Sequence, residues 1–367
     1  MEGPDAETAE AKLMNQELSG VAAALVARGK GILAADETPA TLTRRFDALG
    51  IPSTEQTRRA YREMLFTAPG EAEFISGVIL QDETIHQDAS SGRPLAQVLA
   101  EQGMLPGVKV DLGAKPIAGS PDETVTEGLD GLRERLAAYR GLGARFAKWR
   151  AALRITDAHP SRMCVAANAH ALARYAALSQ EQGLVPIVEP EVLMDGDHTI
   201  ERCEAVTGHV LQAVFDALDE QAVTLEAMLL KPNMVIHGDD CPEAASVGEV
   251  ATATLRCLRR HAPAAVQGIV FLSGGQDARL ATAHLNAINR LPGVKPWAIS
   301  FSYGRALQDD ALHAWRGRTD CLDAGRQALA QRASCNSAAT LGTYTDELEH
   351  TLFTVGAGAP HRELRDD

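Results

Sequence analysis

Lys231 closes the apolar run Ala227-Met228-Leu229-Leu230-Lys231 and is followed at once by Pro232. Burial disfavours the ammonium form of a lysine. Enzymes accept that cost when they need a neutral amine to attack a carbonyl carbon and form an imine. A lysine at a strand end more commonly snorkels to solvent, so the reading depends on its company. That company is rich in charge. Other apolar runs end in Asp36, in Asp82 and Glu83, in Lys109 and Asp111, in Lys148 and Arg150, and in Glu189 and Glu191. Two more end in glycine turns, Ser273-Gly274-Gly275-Gln276 and Ser302-Tyr303-Gly304-Arg305. Amines and carboxylates gathered in one place tune each other into general acids and bases. Lys148 beside Lys231 would disfavour the ammonium on Lys231, and Glu189 or Glu191 could protonate a carbinolamine hydroxyl so that it leaves as water. Backbone N–H groups of the two glycine turns, with Arg305, make a phosphate cradle.

The lysines are few. Of 35 basic residues only Lys12, Lys30, Lys109, Lys115, Lys148, Lys231 and Lys295 are lysine; the rest are arginine. A guanidinium stays protonated and cannot act as a nucleophile, so the remaining lysines are enriched for places where arginine would fail. Codon bias is the competing explanation of the same count.

These residues share a site only if the fold brings the run ends to one face. Short apolar runs alternate with longer stretches of helical periodicity. The runs are 29–38, 74–84, 105–113, 144–153, 183–193, 225–235, 267–276 and 295–307, and the clearest helical stretches are 123–139, 161–182, 199–220, 244–260 and 277–289. From Lys109 through Lys148, Glu189 and Lys231 to Ser273 the steps are 39, 41, 42 and 42 residues. Eight such units predict an α/β protein built as a closed (β/α)8 TIM barrel, with its chemistry at the carboxyl ends of the strands. An open doubly wound sheet is the alternative, but no G-x-G-x-x-G turn follows the first strand. By strand alternation Lys148 and Arg150 face inward, as do Glu189 and Glu191, and Trp149 faces the helices. One catalytic domain is expected over 1–343, including an N-terminal helical extension, with a C-terminal tail over 344–367 that is expected to be mobile from Thr351 to Asp367.

Composition narrows the class. A net charge of −14 argues against nucleic acid and anionic membrane surfaces as partners. The N-terminus lacks a targeting pattern, and no apolar stretch approaches the roughly 18 residues of a membrane helix. The six cysteines are scattered without a C-x-x-C pair, which predicts reduced thiols and a cytoplasmic location. Neither two histidines on one helix face nor a tight His/carboxylate cluster is seen, so no metal is expected. Arg58, Arg59, Tyr61 and Arg62 read as a solvated helix face.

The motifs GKGILAADE, RRAYREMLF, GVKVD, AKWR, VEPEVLMDGDH, LLKPNM, FLSGGQ and SYGRAL, in this order from about Leu18 to Thr343, resemble those of class I (Schiff-base) fructose-bisphosphate aldolase. The resemblance implies a glycolytic and gluconeogenic lyase that cleaves fructose 1,6-bisphosphate, without metal or organic cofactor, commonly as a homotetramer. It implies Lys231 as the Schiff-base lysine and Glu189 as the main acid/base, with Asp36 and Lys148 orienting intermediates and Glu191 in support. By the same resemblance the 1-phosphate rests on Ser273, Gly274, Gly304 and Arg305. Lys109 lies toward the 6-phosphate with Thr38 and Thr41, and Arg150 and Arg45 also bind substrate. A transaldolase-like enzyme and an inactive scaffold are the other readings. The chain departs from the family at Glu37–Arg45, where threonines replace serines and Pro39 enters the turn. It also ends HRELRDD, without a terminal tyrosine.

Overall fold

Residues 9–351 are described by a computed structural model. The chain forms β1 (Gly31–Ala35), β2 (Ile75–Leu80), β3 (Leu105–Lys109), β4 (Ala114–Ile117), β5 (Ser120–Thr126), β6 (Phe146–Leu153), β7 (Val185–Val192), β8 (Leu229–Leu230), β9 (Gly268–Phe271) and β10 (Ala298–Tyr303). Strands β1, β2, β3, β6, β7, β8, β9 and β10 pair in parallel, and β10 closes on β1 through Ile32 opposite Ser302. The expected closed eight-stranded barrel is what forms. Parallel strands covered on both faces need apolar residues at nearly every position, which is why the runs read as continuous rather than alternating.

Two apolar clusters fill the molecule. The larger lies between the sheet and the surrounding helices, and it includes Trp149, which stacks on Tyr175 of the helix Arg162–Glu181 at 5.6 Å. The smaller fills the barrel with Ile32, Ala34, Ile79, Phe146, Val185, Ile187, Leu229 and Val270. Leu18, Ala22 and Leu25 of the helix Ala9–Leu25 join that interior cluster, so the N-terminal helix seals one end. A Cβ on Gly268 would lie 2.7 Å from Val26, which shows how closely the seal fits. Each fully buried leucine there contributes about 1.5–3 kcal/mol. Among the described residues the opposite, carboxyl end of the strands is left open.

Several helix starts are legible as caps. Ser161, Thr199 and Asp277 accept from backbone N–H groups, and Ser246 with Glu249 completes a capping box. Thr38 caps the helix Pro39–Asp47, with Pro39 in its first turn, so the residues that depart from the family's turn begin a helix.

The structure corrects four expectations. The stretch 123–139 is not one helix: its start belongs to β5 of the β4–β5 hairpin, and the helix spans Leu132–Gly141 after the positive-φ Gly131. Strand β8 is only two residues long, because Pro232 ends the ladder by lacking an N–H and 225–227 forms a 3₁₀ turn. Tyr61 and Arg62 are buried, not solvated, with Arg62 Nη1 2.8 Å from Glu37 Oε2. Asp82 and Glu83 do not reach the barrel mouth: Asp82 accepts from Tyr139 Oη (2.7 Å), and Glu83 pairs with Arg58 (2.6 Å). The expected mobility of the tail beyond residue 351 lies outside the described residues.

Candidate active site

A cavity of about 830 Å³ opens at the carboxyl end of the strands. It is lined by every residue that the family resemblance assigned to the site: Asp36, Thr38, Thr41, Arg45, Lys109, Lys148, Arg150, Glu189, Glu191, Lys231, Ser273, Gly274, Gly304 and Arg305. Strand alternation supplies the inward set, because Lys148 and Arg150, like Glu189 and Glu191, sit two apart on paired strands, with Arg150 opposite Glu189.

At the floor, four charged groups lock together. Glu189 Oε1 lies 3.1 Å from Lys231 Nζ, and its Oε2 lies 3.0 Å from Lys148 Nζ. Lys148 Nζ is also 2.6 Å from Asp36 Oδ2. Lys148, Glu189 and Lys231 are each at most 4% exposed at the side chain. Sequence reasoning set the two ammonium groups directly against each other, whereas the geometry places a carboxylate between them. Burial alone would raise the Asp36 carboxyl, but Lys148 and Lys231 outweigh it and bring it down to about 2. Glu189 is likewise lowered against its burial, by Lys148, Lys231 and Arg150. Lys148 is raised well above the ordinary lysine range, since Asp36 and Glu189 outweigh the desolvation that pulls it down. These two carboxylates favour the ammonium form of Lys148.

Around this floor the pairs continue. Arg150 Nε pairs with Glu191, and Lys109 Nζ pairs with Asp111, whose Oδ2 accepts from the Arg150 backbone N–H at 3.2 Å. Ser302 is 1% exposed, and its hydroxyl has no partner among the described residues. Two rims are cationic. On one, Ser273 leads into Gly274 and Gly275, whose φ values of +59° and +99° suit glycine. A Cβ on Gly275 would stand 3.6 Å from Arg305 Nη2, so the two glycine turns meet. Arg305 begins the helix Arg305–Trp315, is exposed, and makes no ion pair among the described residues. The other rim is the start of the helix Pro39–Asp47. There Thr38 and Thr41 are hydrogen-bonded to each other, and Arg44 Nη2 donates to Thr41 Oγ1 at 3.3 Å. Arg45 is already committed to Glu37 (2.5 Å) and Asp309 (2.9 Å).

Sequence reasoning missed Arg44, Thr126 and Asp195 as lining residues. Arg44 had a signal, since it lies three residues after Thr41 and hence on the same helical face. Thr126 had none, because it reaches the mouth only through the hairpin. Among the described residues no cluster of three or more His, Cys, Asp or Glu could hold a metal ion, and no helix is long and apolar enough to cross a membrane.

A barrel with a buried lysine–carboxylate floor between two cationic rims is the architecture of an enzyme acting on phosphorylated carbonyl compounds. The comparisons with known proteins are more particular. Residues 17–355 match the family model "Fructose-bisphosphate aldolase class-I". A probable fructose-bisphosphate aldolase class 1 of Xanthomonas campestris is 54% identical over 330 residues, covering 90% of this chain and 98% of that protein. Cytosolic fructose-bisphosphate aldolase 4 of Arabidopsis thaliana is 50% identical over 343 residues, covering 94% of this chain and 86% of that one. The fructose-bisphosphate aldolase of Plasmodium falciparum, crystallised with TRAP and a small-molecule inhibitor, superposes with a TM-score of 0.90 at 46% identity, covering 94% of this chain and 99% of that one. The chain belongs to the class-I fructose-bisphosphate aldolase family. Its reaction is the reversible aldol cleavage of fructose 1,6-bisphosphate to dihydroxyacetone phosphate and glyceraldehyde 3-phosphate.

Proposed function

We propose that Lys231 is the nucleophile of that reaction, and the observation that carries this is the Glu189 carboxylate bridging Lys231 and Lys148. Transfer of one proton across the 3.1 Å Lys231–Glu189 contact converts an ion pair into a neutral amine and a carboxylic acid. Those are the two groups imine formation requires. The amine adds to C2 of the ketose. Glu189 then gives its proton to the carbinolamine hydroxyl, which leaves as water, and the iminium forms beside a carboxylate that stabilises it. The same carboxylate takes the proton of the 4-hydroxyl, the C3–C4 bond breaks, and its electron pair flows into the iminium as an enamine. Glyceraldehyde 3-phosphate departs. Protonation of the enamine at C3 and hydrolysis release dihydroxyacetone phosphate and restore Lys231.

Lys148, held charged and fixed by Asp36, orients and polarises the hydroxyls at the reacting carbons, and Glu191 steadies Arg150 at the wall. The 1-phosphate rests on Ser273, Gly274, Gly304 and Arg305, where two glycine turns meet a guanidinium that makes no ion pair among the described residues. The 6-phosphate lies toward Lys109, Arg150, Thr38 and Thr41. Arg44, which makes no ion pair among the described residues, supplies a cation to that rim, and Arg45 holds the helix through Glu37 and Asp309.

Incubation with dihydroxyacetone phosphate and borohydride, followed by peptide mass spectrometry, tests the assignment. An adduct on Lys231 that disappears in Lys231→Met is expected. Its persistence in that variant refutes the mechanism. We further propose a catalytic domain over 1–343 with a tail over 344–367, working in the cytoplasm as a homotetramer. The cytosolic Arabidopsis relative supports the location. Light scattering of the purified protein gives the oligomeric state.

A further inference from the structure

Two prolines interrupt the sheet at its most important seam. In β7 the odd-numbered backbone groups face β6, as Val185 N–H donates to Arg145 C=O (3.1 Å) and Leu193 N–H to Leu153 C=O (2.9 Å). The even-numbered groups face β8, where Lys231 N–H donates to Val188 C=O at 2.8 Å. Continuing that ladder requires an N–H on residue 190 to meet the carbonyl of Lys231, but residue 190 is proline. Pro232 removes a further donor immediately after Lys231. Backbone pairing therefore stops where Glu189 and Lys231 must be held 3.1 Å apart.

A side chain bridges the gap. Asn233 is 6% exposed, and its Oδ1 accepts the next N–H on that edge of β7, from Val192, at 2.9 Å. Its Nδ2 donates to Thr207 Oγ1 (3.1 Å), on the buried face of the helix Ile200–Glu220, and to Met234 C=O (3.0 Å). One amide thus joins the ends of β7 and β8 to the helix between them. We propose that Asn233 is a positioning residue for the aldol reaction. By accepting from Val192 it re-ties β7 to the end of β8 one step beyond the bond that Pro190 forfeits, and so sets the distance and orientation of Lys231 relative to Glu189. The proposal rests on the assignment of Lys231 and Glu189 made above. No group of Asn233 touches substrate in this scheme.

The test compares the wild type with Asn233→Leu, Thr207→Val and Thr207→Ser. Steady-state kinetics on fructose 1,6-bisphosphate are combined with rapid-quench borohydride trapping of the imine, normalised to folded protein by circular dichroism. Asn233→Leu should slow imine formation and kcat together by about tenfold or more, with KM nearly unchanged, as expected for misplaced reacting groups. Thr207→Val frees the amide without touching β7 or β8 and should give a smaller loss in the same parameters, which Thr207→Ser restores. If Asn233→Leu does not fold, the Thr207 pair decides. A purely structural role would lower the folded fraction and leave the normalised imine rate intact. Normalised rates within twofold of wild type in Asn233→Leu, or in Thr207→Val where that variant alone is measurable, overturn the proposal. Absence of a Lys231 adduct in the wild type would instead overturn the mechanism it rests on.

Discussion

Replacing Asp36 by asparagine removes one charge from the floor of the cavity while keeping its shape, and the pH dependence of the effect follows from the geometry. In the folded protein the Asp36 carboxyl is lowered from 3.8 to about 2, because Lys148 at 2.6 Å and Lys231 outweigh its burial. That difference corresponds to about 2 kcal/mol of coupling between ionisation and folding. The folded value is depressed, so the unfolded chain binds the proton more readily. The contribution is fully present above about pH 5, declines as pH falls through 4, and is gone below about pH 2. Asparagine does not titrate. The stability of the wild type relative to Asp36→Asn should therefore fall by roughly two-thirds of that amount between pH 7 and pH 2.5, whatever the offset at neutral pH. Urea denaturation of both proteins at pH 7, 5, 4, 3 and 2.5, at one fixed protein concentration, measures it. A difference that stays constant across that range, or grows in acid, refutes the coupling of Asp36 to the lysines. Raised Lys148 acts at the other end: its stabilisation is complete below the ordinary lysine range and is lost only in strong alkali.

Arg305→Ala should raise KM for fructose 1,6-bisphosphate about ten- to a hundredfold, the value of one charge-assisted hydrogen bond to phosphate, and inhibition by inorganic phosphate should weaken in parallel. Arg62→Met should cost about 3 kcal/mol in urea denaturation, because it leaves the Glu37 carboxylate to Arg45 alone. Its kcat should fall less than that of Asp36→Asn. Activity should survive treatment with EDTA followed by dialysis, whereas a proportional loss restored by zinc would contradict imine chemistry.

The barrel was legible because burial on both faces forces each parallel strand to be an apolar run, and because the runs recur on one period. The inward set was legible for the same local reason: Lys148 with Arg150 and Glu189 with Glu191 follow from strand alternation alone. Where reasoning failed, the deciding partner was remote in sequence. Residues 123–126 carry no mark distinguishing a hairpin strand from a helix start until β4 is beside them. Arg62 reads as a surface residue unless Glu37 is known to approach it, and Asp82 is diverted from the mouth by Tyr139.

By itself, then, the sequence determined which residue types stand at the strand ends, since backbone periodicity and residue chemistry are local properties. Tertiary structure decided how they act on each other. A carboxylate between two lysines differs from two lysines in contact, and only the closing of β7 against β6 and β8 distinguishes them. Likewise the packing of the helix Pro39–Asp47 beside Asp309 decided that Arg45 is ion-paired, whereas its chain neighbour Arg44 makes no ion pair among the described residues. Electrostatic coupling depends on separations of a few ångströms, and those are set by packing between elements rather than by order along the chain.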